Sequence, residues 1–374
     1  MAAGHAPHLD AACDWLARAQ DVTPSGGVAR GYSAIWNPYF RLHGWEPEYP
    51  ETTGYIIPTM YLVADHADRP EFAERAERAA HWERAVQLED GGVQAGVMGQ
   101  PRVPAVFNTG QVIFGWLAAF ERTGDQAFAD SANRAAAFLA DRIDHDGFWR
   151  RDTSHLAHPD ATLYNTRTAW ALAEAGVRLG TPSYCDAAHR ALVAAADRQH
   201  ANGWIPDCCL TDPKRPLLHT LAYAIRGMLE GGWALQDEQL TTRATIAAVA
   251  LRDAMPANGW LPGRWAEGWT PAVDFSCLTG TAQMANIWLR LAEVTGDKSW
   301  LVPVERALRF LESTQNRTTT NDGLRGGIKG SFPFSGGYGR FKVLNWATKF
   351  FVDAVIRYER LTTGAPTLPS AALA

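Results

Sequence analysis

The 374-residue sequence has no basic excess. Its 40 acidic residues outnumber its 35 lysines and arginines, leaving a formal net charge of -5, which argues against a general nucleic-acid binder. It has no run of about 18 apolar residues, so no membrane-spanning helix is expected. The opening MAAGHAPHLDAACDWLARAQ carries no basic stretch ahead of an apolar core and does not read as an export signal. The five cysteines (Cys13, Cys185, Cys208, Cys209 and Cys277) are odd in number and follow no framework spacing. They are expected to be reduced thiols of a cytoplasmic protein. No P-loop, Rossmann glycine signature or G-x-S-x-G elbow is present, which excludes the common forms of nucleotide chemistry and serine hydrolysis. Strand-like alternation is nearly absent.

What is present is repetition. FERTGDQAFADSANRAAAFLADRIDHDGFW (120–149) is matched by LGTPSYCDAAHRALVAAADRQHANGW (179–204) and LTTRATIAAVALRDAMPANGW (240–260). Each is an Ala-rich amphipathic helix followed by a polar turn and a glycine. Three related stretches occur at 8–28, 72–93 and 291–327. The turn glycines fall near Gly27, Gly92, Gly147, Gly203, Gly259 and Gly327, about 56 residues apart in the middle of the chain and further apart at its two ends. After each turn comes a second helix that is apolar on nearly all sides, as in TTGYIIPTMYLVAD and HTLAYAIRGMLEG. A helix apolar all round is buried all round, whereas the preceding helices keep a polar face.

Six hairpins of outer and inner helix predict an all-α closed double ring, an (α/α)6 toroid. Open helical arrays such as TPR repeats have shorter periods, about 34–47 residues, and need no fully apolar helices. No linker divides the chain, so one domain over 1–374 is expected, with a loose tail from about residue 362.

In such a ring the entrances of the inner helices converge at one end. They carry Glu51 and Tyr55; Asn108 and Gln111; Tyr164, Asn165 and Arg167; His219 and Tyr223; Asp274 and Gln283; and Asn345, Trp346 and Lys349. Several of these are good helix caps, but capping does not account for Tyr, Arg, His, Trp and Gln at one rim. Aromatic faces beside amides and acids suit a sugar, whose C–H faces stack and whose hydroxyls hydrogen-bond. Six helix N-termini add partial positive charge. Arg325, Lys329, Arg340, Lys342 and Lys349 add full charges, and together they suggest an acidic sugar. The Gly- and aromatic-rich GGIKGSFPFSGGYGRF (326–341), with Tyr338 and Arg340, reads as a binding loop across the mouth.

Glycosidic hydrolysis needs two carboxylates across the scissile bond. Glu51 and Asp274 are the candidate pair, with Asp90, Asp146 and Asp207 as substitutes. Abstraction of the C5 proton of a uronate is the alternative. It needs a base such as Tyr164 or His219 and a group that neutralises the carboxylate, and it would make the protein a lyase or C5-epimerase. Asp207, Cys208, Cys209, His219 and Cys277 lack zinc spacing, and neither metal nor cofactor is expected.

The six hairpins, over residues 8–360, resemble the six-hairpin glycosidase superfamily of glucoamylase-like, unsaturated-glucuronyl-hydrolase-like and N-acylglucosamine-epimerase-like folds. YPETTGYIIPT resembles a segment of uncharacterised toroid proteins associated with bacterial polysaccharide biosynthesis. The resemblance implies a carbohydrate-active enzyme. A rival resemblance, of RALRFLESTQNRTTTNDGLRGG to the terpenoid cyclase and prenyltransferase toroid, lacks the D-x-D-D and D-D-x-x-D motifs of that class. A non-catalytic glycan-binding toroid is a further alternative. The sequence thus predicts a cytoplasmic toroid acting on an acidic oligo- or polysaccharide. Hydrolysis would use Glu51 and Asp274. Tyr55, Tyr164, Tyr338 and Trp346 would stack on or hydrogen-bond the sugar, and Arg167, Arg340 and Lys349 would hold a negative group.

Overall fold

A computed structural model describes residues 4–153 and 162–365. Twelve α-helices follow one another among these residues: α1 (Ala6–Asp21), α2 (Pro50–His66), α3 (Glu71–Val86), α4 (Val106–Thr123), α5 (Gln126–Arg142), α6 (Thr166–Arg178), α7 (Pro182–Asp197), α8 (Leu218–Ala234), α9 (Glu238–Asp253), α10 (Leu278–Thr295), α11 (Leu301–Thr314) and α12 (Asn345–Thr363). The even-numbered helices pack in a cycle, α2 on α4 and onward to α12, which packs back on α2. Each odd-numbered helix covers an even one, and α1 covers α12. This is the (α/α)6 toroid.

The sorting into two rings follows from composition. Every residue of α8 from Leu218 to Gly232 is buried, and so is every residue of α10 from Leu278 to Ala292. The outer helix α3 buries only Phe72, Ala76, Ala79, Ala80, Trp82 and Glu83. Inner helices approach closely where glycine replaces a side chain. A Cβ on Gly115 of α4 would lie 2.4 Å from the carbonyl oxygen of Gly54 in α2.

The repeated turn glycines have two reasons to be glycine. Gly26, Gly91, Gly147, Gly203, Gly259 and Gly326 all adopt positive φ, which side chains disfavour. Each also sits against the next outer helix. A Cβ on Gly259 would lie 2.1 Å from the Arg306 carbonyl oxygen of α11, and one on Gly326 would lie 2.0 Å from that of Ala11 in α1. In the three Gly-Gly turns it is the first glycine, not the second as expected, that takes this conformation.

Strands are few and short among the described residues, as expected. A three-stranded antiparallel sheet, ordered β2-β1-β7, stands at the mouth of the ring. It joins β1 (Gly31–Asn37) to β2 (Leu42–Trp45) in a hairpin and to β7 (Lys342–Leu344) near the other end of the chain. Two short pairs lie between them in sequence: β3 (Trp265–Ala266) with β4 (Thr270–Pro271), and β5 (Ser276–Cys277) with β6 (Ser331–Phe332). The hairpin accounts for the greater length of the first repeat. At the C-terminus α12 is capped by Gly364 in the left-handed region. The rest of the tail expected to be loose, residues 366–374, lies outside the described residues.

One buried group works against the fold. Both carboxyl oxygens of Glu83 are buried with no hydrogen-bond partner, and desolvation raises its pKa well above the ordinary 4.5. A raised folded-state pKa gives stability that is complete below the unfolded value and is lost as pH rises. Glu83→Met is therefore expected to stabilise the protein by about 1–3 kcal/mol, with the gain larger at pH 8 than at pH 5. Denaturant unfolding at the two pH values checks this, and an equal gain at both would show that Glu83 is not the titrating group.

Candidate functional site

At the mouth of the ring two cavity lobes, of about 380 and 390 Å³, share Arg30, Tyr49, Glu51, Leu210, His219, Thr220 and Lys342. Each is within the size range of small-molecule sites. The first lobe adds Tyr39, Phe40, Phe107, Asn108, Tyr164 and Tyr223. The second adds Tyr55, Tyr338, Arg340 and Trp346.

Glu51 is placed by local sequence. Tyr49 is the extended N-cap of α2 and Pro50 opens the helix, so Glu51 falls in the first turn at the cavity wall. Its carboxylate accepts a hydrogen bond from the Tyr49 hydroxyl. Burial pushes the Glu51 pKa up to about 7, against the Tyr49 hydrogen bond and the charges of Arg30 and Arg167, which lower it. At neutral pH this carboxyl is divided between acid and base.

His219, second residue of α8, is a neutral group. Burial lowers its pKa to about 3, and the charge of Arg167 adds to the effect. Gln283 Nε2 donates to His219 Nδ1 at 2.6 Å and lies 3.4 Å from the His219 carbonyl oxygen. A carbonyl only accepts, so the amide nitrogen faces the ring. Nδ1 is then the acceptor, and Nε2 keeps the proton. His219 acts as a fixed hydrogen-bond donor. Its ring packs on Tyr223 and Tyr338. Burial raises the pKa of Tyr55, Tyr164, Tyr223 and Tyr338, so these phenols also stay protonated. Tyr338 accepts from Trp346 Nε1 at 2.8 Å.

A charged hub closes one wall. Glu46, buried, pairs with Arg30 at 2.6 Å and Lys342 at 2.8 Å, and accepts from Ser33 at 2.8 Å and Asn37 at 3.0 Å. Two cations on one carboxylate leave this wall net positive. Arg30 also lies over the Trp346 ring, 4.8 Å from its centroid.

Asp274 does not join Glu51. It is exposed, lines neither lobe, and precedes the short strand β5, four residues before α10 begins. Glu51 is the second residue of its helix, and the matching position on α10 is Thr279. Among the described residues lining the two lobes, Glu51 is the one carboxylate.

Of the other expected site residues, Tyr164, His219, Tyr55, Asn108, Tyr223, Tyr338, Arg340 and Trp346 line the lobes. Gln111, Asn165, Arg167, Gln283, Asn345 and Lys349 stand one layer behind. Gln111 accepts from Arg167 Nε at 2.6 Å. Arg167, its Nη atoms unpartnered, is enclosed by the rings of Tyr55, Phe114, Trp170, Tyr223 and Phe350. Asn165 is buried at the start of α6. Asn345 ties α12 to Thr52 of α2 and to the Ala29 carbonyl. Lys349 is buried against Asp353 at 2.7 Å.

Arg30, Tyr39, Phe40 and Tyr49 were not singled out by the sequence reading. The cluster of aromatics between residues 32 and 49 was their one visible signal. Among the described residues no three His, Cys, Asp or Glu side chains group as a metal site, and no helix is long and apolar enough to cross a membrane.

No family model matches the chain, and no curated protein matches its sequence. Solved structures match its fold. An unsaturated glucuronyl hydrolase specific for heparin has a TM-score of 0.75 at 17% identity, over 96% of this chain and 99% of that one. A sugar epimerase from a ruminal bacterium has a TM-score of 0.76 at 14% identity, over 98% and 100%. Cellobiose 2-epimerase from Bacillus thermoamylovorans has a TM-score of 0.70 at 11% identity, over 92% and 95%. The chain therefore shares the (α/α)6 toroid fold with these proteins.

Proposed function

We propose that the protein is a carbohydrate-active enzyme that transfers a proton from Glu51 to the terminal residue of an acidic saccharide. The observation that carries this reading is Glu51, the one cavity carboxyl among the described lining residues, with a pKa of about 7, set among phenols and beside the cationic wall of Arg30 and Lys342. The hydrolases and epimerases with the same fold support the substrate class. A carbocation-guiding terpenoid cavity is disfavoured, because Arg30 and Lys342 would repel the cation.

The two-carboxylate glycosidase geometry has no partner for Glu51 among the described lining residues. A reaction needing one acid fits better, and hydration of an unsaturated uronyl residue is such a reaction. Glu51 would protonate C4 of the C4=C5 enol ether. The cation at C5 is shared with the ring oxygen. Water adds at C5 and returns a proton to Glu51. The resulting hemiketal opens the ring and releases the next sugar. His219 and the phenols would bind hydroxyls, Tyr55 and Trp346 would present ring faces, and Arg30 with Arg340 would attract the carboxylate. The five unpaired cysteines suit a reducing, cytoplasmic setting.

Epimerisation is the second reading, because a carboxyl of this pKa can equally begin as a base. The pH dependence separates the two. With Glu51 as the acid, kcat/KM on an unsaturated uronyl disaccharide is expected to be flat below about pH 7 and to fall tenfold per unit above it. Loss of the disaccharide's conjugated ultraviolet absorbance follows the reaction. Solvent deuterium entering at C5 of a saturated uronyl oligosaccharide, at a rate that rises through pH 7 and with the absorbance of the unsaturated disaccharide unchanged, would assign Glu51 as a base and favour the epimerase.

A further inference from the structure

A third hollow, of about 450 Å³, adjoins the cavity beside the β1–β2 hairpin. It is lined by Ser33, Ile35, Trp36, Asn37, Pro38, Arg340, Phe341 and Lys342. Arg340 and Lys342 line the second inner lobe as well, so the two spaces meet at these cations. The tip of the β1–β2 hairpin forms its far wall, with Trp36 62% and Ile35 51% exposed. Tyr39, from the same tip, faces the first inner lobe.

Exposed aromatics on a mobile loop would mean little, but this tip is held. Asn37 Nδ2 donates to Glu46 at 3.0 Å, and its Oδ1 accepts from the Tyr39 backbone N–H at 3.0 Å. Gln100 Nε2 reaches the Tyr39 hydroxyl at 2.8 Å. The carboxylate that fixes Arg30 and Lys342 in the inner wall thus also fixes the hairpin. Arg340 is exposed and lies over the Phe341 ring.

We propose that this hollow is an outer subsite, in which Trp36 stacks on a sugar beyond the terminal one and Arg340 pairs with an acidic group on the saccharide. It rests on the carbohydrate reading of the inner cavity and adds a preference for chain length. A flat apolar ring, a fixed backbone and a cation shared with the inner lobe are what a continuing acidic chain would meet on leaving the mouth. An aromatic platform on a preorganised hairpin binds with little ordering cost.

The test uses the unsaturated disaccharide and tetrasaccharide made by lyase digestion of chondroitin. Wild-type kcat/KM is expected to be higher for the tetrasaccharide. Trp36→Ala is expected to lower the tetrasaccharide value about tenfold while leaving that of the disaccharide unchanged. The unchanged disaccharide rate also reports an intact fold. If Trp36→Ala leaves the ratio of the two values as in wild type, the outer subsite is wrong and the inner-site reading stands. If wild type processes neither sugar, the inner-site reading fails and the outer subsite falls with it.

Discussion

Glu51→Gln is expected to lower kcat/KM on an unsaturated uronyl disaccharide by about 10²–10⁴-fold, the usual contribution of a positioned acid or base. The amide keeps the size and the contact with Tyr49 but has no proton to give. Because the carboxyl lies at a cavity wall, the fold and Tm should change little, and a thermal scan beside the rate measurement separates chemistry from folding. Tyr49→Phe supplies a finer test of the same assignment. The Tyr49 hydrogen bond lowers the Glu51 pKa, so its removal should move the falling limb of the pH profile to higher pH. Asp274→Asn, an exposed change at a residue that lines neither lobe, should leave the rate within about twofold of wild type. Full activity in Glu51→Gln would remove the central group of the proposed mechanism.

The second large effect concerns stability. Asp353 is fully buried on α12 and holds Lys349 at 2.7 Å and the Thr59 hydroxyl of α2 at 2.7 Å. Burial, with the charges of Arg226 and Arg167, lowers the Lys349 pKa to about 7 against the opposing effect of Asp353. Asp353→Ala removes the counter-charge of Lys349, whose amine must then stay buried unpaired or lose its proton, and is expected to cost about 3–5 kcal/mol. Lys349→Met together with Asp353→Leu removes both charges and should recover most of that loss. Chemical denaturation of the two variants checks the pair. Equal destabilisation by single and double variants would show that packing around Asp353, and not its charge, is what matters.

The parts of the molecule visible in the sequence are those written by local rules. Turn glycines and the change from one-faced to all-round apolar helices gave both rings and the closure between them. Glu51 was legible because an acid stood in the first turn of an otherwise apolar helix. Asp274 was misplaced because β5 intervenes between it and α10, which the residues VDFSC do not announce. The sheet was missed for a different reason. Strand β1 carries an irregularity between Ser33 and Asn37, and its other partner, β7, is at the far end of the chain. No local pattern reports a partner that distant, so Arg30 and Lys342 could not be seen to share Glu46. Depth along a helix was likewise invisible. Asn108 reaches the cavity, while Gln111, one turn deeper, supports Arg167.

The closure of the ring has a consequence for how the protein is made. Trp15 Nε1 donates to the Gly323 carbonyl across 308 residues of sequence, and β1 pairs with β7 through Tyr32 and Val343. One wall of the cavity is thus built from the first and sixth hairpins together. On the ribosome, the earlier hairpins emerge while the place of α12 between α10 and α2 is still vacant, and the apolar faces of those two helices wait uncovered. Contacts of such long range form late and slowly, and unfinished intermediates of this kind are prone to aggregate. Binding competence should therefore arrive in a single step with the docking of the last hairpin, and not grow in proportion to the length of chain already folded.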